Sequence, residues 1–306
     1  MTSGHASTIL FRTSKLVFRI VEIDLREAGG HAMTDHRLRY DVNCSIVFTE
    51  LPALQRPAAA AAAGFGGVEF WWPFPVATPA DRDLDDFADA VGDAGVTLVG
   101  LNFFAGDMPG GDRGLVSWPA RAAEFRDNVE VTVGLGERLG CRAFNALYGN
   151  RVDGASPEEQ DELAVENLAL AARAAQRIGG IVLVEPVSGA ERYPLKTADD
   201  AVRVIERVQQ DAGVDNVRLL ADLYHLSVNG DDVEKAIAAH AGRTGHVQIA
   251  DAPGRGEPGS GELPLQRWLG DLEDGGYRGW VGLEYKPTVA SAESFGWLPI
   301  ERRGAG

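Results

Sequence analysis

The stretch Gly279-Trp-Val-Gly-Leu-Glu-Tyr-Lys-Pro287 is a short apolar run that ends abruptly in an acid, a phenol, an amine and a proline. Val281 and Leu283 suit a strand buried on both faces, as in a parallel sheet, and Pro287 stops it soon after Glu284. A carboxylate at the C-terminal end of such a strand is costly unless something pairs with it. Three more runs share this shape: Ile181-Val-Leu-Val-Glu185, Val217-Arg-Leu-Leu-Ala-Asp222 and His246-Val-Gln-Ile-Ala-Asp251. Glu185, Asp222, Gln248 and Glu284 thus fall at the ends of four strands.

Working outward, strand-like and helix-like segments alternate from Tyr40 onward. The expected strands are 40–48, 67–71, 96–102, 141–147, 181–185, 217–222, 245–251 and 280–284. Between them lie expected helices at 51–63, 81–94, 119–139, 156–178, 197–211, 231–240 and 264–270. Ser156-Pro-Glu-Glu carries a cap, a proline at the first helical position and acids behind it. Eight strand–helix units result if the tail after Ala290 forms the last helix. This alternation over roughly 250 residues predicts a (β/α)8 TIM barrel. An open doubly wound sheet is the alternative, but no GxGxxG follows the first strand.

No linker divides the later chain, so one domain is expected over residues 38–306, preceded by an N-terminal extension, residues 1–37. The apolar patch Leu16–Ile23 is broken by Arg19 and Glu22 and does not read as a secretory segment. Met33 is the expected natural start, with residues 1–32 an over-extended reading of the gene or a disordered stretch; the competing reading is a genuine extra strand or arm.

The 306 residues are 45% hydrophobic and carry a formal net charge of −16, which argues against a nucleic-acid surface. The two cysteines, Cys44 and Cys141, make no disulfide framework, and no apolar run reaches membrane-span length. A cytoplasmic protein without membrane partners is the expectation.

In a barrel, strand C-termini converge on one mouth. Three carboxylates and an amide oxygen there form a hard, all-oxygen set suited to a divalent cation, Mg2+ or Mn2+, rather than Zn2+. Without a cation, three such carboxylates repel and at least one holds a proton. The competing reading has each acid capping a helix or pairing with an arginine.

His225 follows Asp222 by three residues and suits either a substrate hydrogen bond or a helix start. His246 shares the strand parity of Gln248 and is expected inside the barrel in a structural role, while His240 closes a helix. The glycine-rich loop Asp251–Glu262 presents Arg255, whose planar fork suits a substrate carboxylate, or which pairs with Glu257 at the surface. Lys286 shares the parity of Glu284, and Arg113 lies in the loop after the third strand. Tyr285 is expected to point towards the helices.

Residues from about Leu38 to Trp297 resemble the hydroxypyruvate isomerase family of xylose isomerase-like barrels. The matching stretches are Asn43-Cys-Ser45 with Phe48, Gly67-Val-Glu-Phe70, Ala105-Gly-Asp107 with Arg113-Gly114, Val184-Glu-Pro186 and Asp222-Leu-Tyr-His225. The most specific are His246–Asp251 with Arg255–Glu262, and Gly282-Leu-Glu-Tyr-Lys-Pro287. The resemblance implies metal ligands at Glu185, Asp222, Gln248 and Glu284, with Glu185 and Glu284 as the proton-transferring acids. The residues expected at the substrate are Asn43, Glu69, Asn102, Arg113, His225, Arg255 and Lys286. Leu101 and Phe103-Phe104 depart from residues found in some members.

The implied reaction interconverts hydroxypyruvate and 2-hydroxy-3-oxopropanoate (tartronate semialdehyde) through a cis-enediolate. Alternatives on the same site are 2-oxo-tetronate isomerisation and ketose 3-epimerisation. A DNA-repair endonuclease would want several zinc-binding histidines, whereas three of the six here precede residue 37. A non-catalytic sugar-acid binding protein is a further alternative, and a homo-oligomer is a possible assembly.

Overall fold

The computed structural model describes residues 36–304. Eight strands, β1 (Arg39–Asn43), β2 (Gly67–Phe70), β3 (Thr97–Asn102), β4 (Ala143–Asn145), β5 (Ile181–Val184), β6 (Val217–Asp222), β7 (Thr244–Ile249) and β8 (Trp280–Leu283), form one closed parallel barrel in sequence order. β8 closes it by pairing with β1, from Arg39 against Trp280 to Val42 against Leu283. The strands are almost wholly buried because helices cover the outside, which is why they read as continuous apolar runs.

Helices α1 (Arg56–Ala62), α2 (Asp81–Ala94), α3 (Ala122–Leu139), α4 (Pro157–Gln176), α5 (Ala198–Ala212), α6 (Leu223–Val228), α7 (Val233–His240) and α8 (Leu265–Asp274) make the outer layer. Ser156 and Glu159 form a capping box on α4, with Pro157 in its first turn, as the sequence predicts. Thr197 and Asp200 do the same on α5. Each cap stabilises its helix by about 1 kcal/mol. No helix among the described residues is long and apolar enough to cross a membrane.

Three expectations are corrected. The tail after Ala290 forms no α-helix, only 3-10 turns at Ser291–Glu293 and Ile300–Arg302. Gly296 and Pro299 interrupt it, and Arg303 instead ties it down by donating to the carbonyls of Ala63, Phe295 and Leu298. The segment after β6 holds two helices rather than one, because Asp222 caps α6 directly at the strand end. The first helix begins at Arg56, since Pro52 holds an extended conformation before the 3-10 turn Ala53–Gln55.

His36 Nε2 lies 3.1 Å from the Tyr40 hydroxyl, and the Arg37 amide donates to Glu273. The expectations about residues 1–32 and a start at Met33 lie outside the described residues.

Candidate active site

The barrel geometry brings the strand-end oxygens together. One ligand atom from each of Glu185, Asp222, His225 and Glu284 lies within 4.8 Å of the others, and all four residues are buried. Gln248 joins them through its Nε2, 3.4 Å from Glu284 Oε1.

Asp222 has two tasks. Its Oδ1 accepts from the amides of Tyr224 and His225, starting α6 and fixing where His225 stands. Its Oδ2 is buried without a hydrogen-bond partner, as is Oε1 of Gln248. The Gln248 amide is oriented by donating to Glu69 Oε1 at 2.7 Å, which leaves its oxygen free. Two orphaned buried oxygens beside two buried glutamates are what a hard cation would satisfy.

The electrostatics agree with that fit. Burial raises Glu185 well above the usual carboxylate range, and the charges of Glu284 and Asp222 raise it further. Burial pushes Glu284 up to about 7; Arg255 opposes this, while Asp222 and Glu69 add to it. Asp222 is also raised by burial, against the pull of Arg255 and its two amide donors. Like charges about 4 Å apart cost roughly 4 kcal/mol at an effective dielectric of about 20, so a cation or protons must intervene.

Glu284 and Glu185 are held differently. Oε1 of Glu284 accepts from Trp71 Nε1 at 2.7 Å and Asn43 Nδ2 at 3.0 Å, while Oε2 pairs with Arg255. Glu185 accepts a single side-chain donor, Asn145 Nδ2 at 2.7 Å on Oε2. The tautomer of His225 follows from its neighbours. The Ser188 amide can only donate, and it meets Nδ1 at 3.1 Å, so the ring proton sits on Nε2. That Nε2 faces Asp222 Oδ2 at 3.5 Å and Glu185 Oε1 at 3.9 Å. Burial, with Arg255 adding, pushes the imidazole down to about 3, so it is a neutral donor rather than a base. His225→Gln, which keeps an N–H near this place, is expected to retain at least about ten times the kcat of His225→Ala in steady-state assays.

A cavity of about 1260 Å3 opens over the cluster. Asn102, Arg113, Glu185, His225, Arg255, Glu284 and Lys286 line it, as do Trp71, Trp72, Phe74 and Phe104. Asn43 and Glu69, expected at the substrate, are absent from that lining. Both are almost wholly buried and serve as supports, Asn43 bridging Glu69 and Glu284 and Glu69 receiving Gln248 and His246. His246 is inside the barrel with its Nε2 2.6 Å from Glu69. Tyr285 points away from the mouth, its hydroxyl 2.9 Å from Ser294 Oγ.

Arg255 pairs neither with Glu257 nor with open solvent. It sits at φ 61° beside Glu284, 3.7 Å from Asp222 Oδ2 and 5.3 Å from the Tyr224 ring centroid, and Glu257 binds Thr288 instead. Asp251 builds the loop that carries it by accepting from the amides of Ala252, Gly259 and Leu263. Gly254 and Gly259 take positive φ there, which L side chains disfavour. Arg113 donates to the carbonyls of Met108 and Asp112, closing its own loop.

Trp71, Asn145 and Ser188 escaped the sequence reading. Asn145 ends β4 as Asn102 ends β3, so the strand-end rule applied there would find it. Trp71 has the parity of Glu69 and continues the inward face beyond β2. Nothing in the sequence marks Ser188.

Residues 57–300 match the family model of xylose isomerase-like TIM barrels. A Streptomyces coelicolor protein whose name places it provisionally among hydroxypyruvate isomerases is 56% identical over 272 residues, covering 87% of this chain and 98% of its own. The Escherichia coli protein named hydroxypyruvate isomerase is 32% identical over 263 residues, covering 85% of this chain and 98% of its own. A solved structure titled AP endonuclease, family 2, from Brucella melitensis is 36% identical with a TM-score of 0.77, covering 85% of this chain and 97% of that one. With the closed barrel and the strand-end cluster, these matches place the chain in the hydroxypyruvate isomerase family of xylose isomerase-like TIM barrels, as an isomerase.

Proposed function

We propose that the protein interconverts hydroxypyruvate and 2-hydroxy-3-oxopropanoate through a cis-enediolate, with a divalent cation, Mg2+ or Mn2+, held by Glu185, Asp222, Gln248 and Glu284. The observation that carries this reading is the pair of orphaned buried oxygens, Asp222 Oδ2 and Gln248 Oε1, beside two buried glutamates facing one cavity. Such a cation would polarise the carbonyl and hydroxyl oxygens of the substrate.

The protein's own groups supply the proton transfers. In the forward direction a proton leaves C3, one reaches C2, and the hydroxyl proton moves between the two oxygens. Side-chain donors drain basicity from a carboxylate. Glu284 carries neutral donors on Oε1 and Arg255 on Oε2, whereas Glu185 carries one donor. Glu185 is therefore the stronger base and the one assigned to C3; Glu284 completes the transfer at C2. His225, as an Nε2–H donor, steadies negative charge developing on a substrate oxygen. Lys286 is exposed at the cavity rim and serves as an anchor for the substrate carboxylate. Lys286→Met is expected to raise KM about tenfold with kcat within about twofold in steady-state assays; a change confined to kcat rejects the anchor.

The cavity supports a second reading. At about 1260 Å3 it is far larger than a three-carbon acid, and its wall is partly aromatic. A four-carbon 2-oxo acid or a ketose would fill more of it, making 2-oxo-tetronate isomerisation or 3-epimerisation the rivals. Parallel assays with hydroxypyruvate, 2-oxo-tetronate and free ketoses decide between them. The highest kcat/KM on hydroxypyruvate supports the first reading, and its absence rejects it. The net charge of −16 and the single imidazole in the mouth cluster speak against cleavage of nucleic acid.

A further inference from the structure

The interior of a TIM barrel is ordinarily filled by layers of branched apolar side chains. This one holds Asp41, Glu69 and His246 beneath the mouth, at 0%, 3% and 3% exposure. One ligand atom from each lies within 4.8 Å of the others. Glu69 and His246 are joined by a 2.6 Å hydrogen bond. Asp41 stands apart from that pair, with both carboxylate oxygens buried and without any hydrogen-bond partner. A buried carboxylate with two unsatisfied oxygens is among the costliest features a core can contain.

The surrounding backbone makes room for this group. Asp41 lies in register with Gly282 and Glu69 with Gly100. A Cβ at Gly282 would stand 2.6 Å from Glu69 Oε1, one at Gly100 would stand 3.3 Å from Glu69 Oε2, and one at Gly67 would stand 3.0 Å from the Asp41 side chain. Three strands thus lack side chains where the carboxylates need space.

Charge balance gives a second, independent pointer. The five carboxylates of the two clusters, Asp41, Glu69, Glu185, Asp222 and Glu284, face one guanidinium, Arg255. Ionised, they leave an excess of negative charge in the barrel, and Glu69 and Asp41 act on the buried His246 imidazole to raise it. One divalent cation at the mouth offsets only part of that excess.

We infer that Asp41, Glu69 and His246 form a second, structural cation site inside the barrel, separate from the mouth. An imidazole nitrogen with two carboxylates, closed to solvent, suits Zn2+ or another first-row divalent ion with affinity for nitrogen. The all-oxygen set above suits Mg2+ or Mn2+. Glu69 links the two, since the oxygen that receives Gln248 and Asn43 belongs to the carboxylate that bonds His246. An ion beneath would hold that carboxylate, and with it the orientation of Gln248.

The test is metal content per chain, measured by plasma mass spectrometry on protein produced with Zn2+ and Mn2+ in the medium and then desalted. Wild type is expected to carry one equivalent more than Asp41→Asn, and the mouth variant Asp222→Asn is expected to keep the Zn2+ that Asp41→Asn loses. A wild-type crystal measured at the zinc edge should show an anomalous peak about 2.0–2.2 Å from the Asp41, Glu69 and His246 ligand atoms. Equal metal content in wild type and Asp41→Asn overturns the site. So does a crystal with no anomalous peak there, only a water or direct contact between the side chains. If Asp41→Asn does not fold, the wild-type crystal decides alone.

Discussion

Glu284→Gln is expected to lower kcat on hydroxypyruvate by about 10^3-fold, with KM changed far less. Glutamine keeps the volume and one oxygen, so Trp71 and Asn43 retain their acceptor. It removes the oxygen that carries the transferred proton and turns an N–H towards Arg255 in its place. Glu185→Gln should produce a loss of the same order, because its Asn145 partner likewise survives the change. The two residues act on one reaction coordinate, so the double variant should be little worse than either single one. Steady-state kinetics of all three, with circular dichroism to confirm folding, read this directly. A double variant that loses the product of both single factors would mean that the glutamates act independently.

Asp222→Asn is expected to weaken divalent-cation affinity at the mouth by at least about 100-fold while leaving thermal stability within a few degrees of wild type. The two oxygens of Asp222 have different work, and asparagine preserves only one kind. Its oxygen can keep accepting from the amides of Tyr224 and His225, so α6 still starts at the strand end. The other position becomes an NH2 group where Asp222 has an orphaned oxygen, and an NH2 cannot serve as a ligand to a hard cation. Isothermal titration with Mn2+, alongside a melting curve, separates the two effects. Unchanged affinity with a large drop in melting temperature would make Asp222 a cap alone.

The barrel was legible because its strands are buried on both faces and its helices carry marked starts. Ile181–Val184 and Trp280–Leu283 are apolar runs bounded by an acid, and Ser156 begins α4 with its whole cap written in the sequence. The tail was not legible, because what shapes residues 291–303 is Arg303 donating to carbonyls as distant as Ala63. The strand-end acids converge as the repeating unit demands, and parity placed His246 inward and Tyr285 outward. Asn43 and Glu69, expected at the substrate, lie beneath the cavity and hold Glu284, Gln248 and His246, a difference of depth that a matching motif does not carry. Arg255 lines the cavity as its loop position suggests; its pairing with Glu284, 29 residues on, comes from the adjacency of β7 and β8, which no local motif announces.

The central claim is that proton transfer by this glutamate pair depends on a divalent cation at the mouth. The most direct measurement is the rate of hydroxypyruvate isomerisation by metal-stripped wild-type protein and by Glu284→Gln, before and after Mg2+ or Mn2+ is restored. The expected result is negligible turnover in stripped wild type, recovery on adding either ion, and no recovery in Glu284→Gln. Equal rates with and without metal, or equal rates in wild type and variant, would contradict the account.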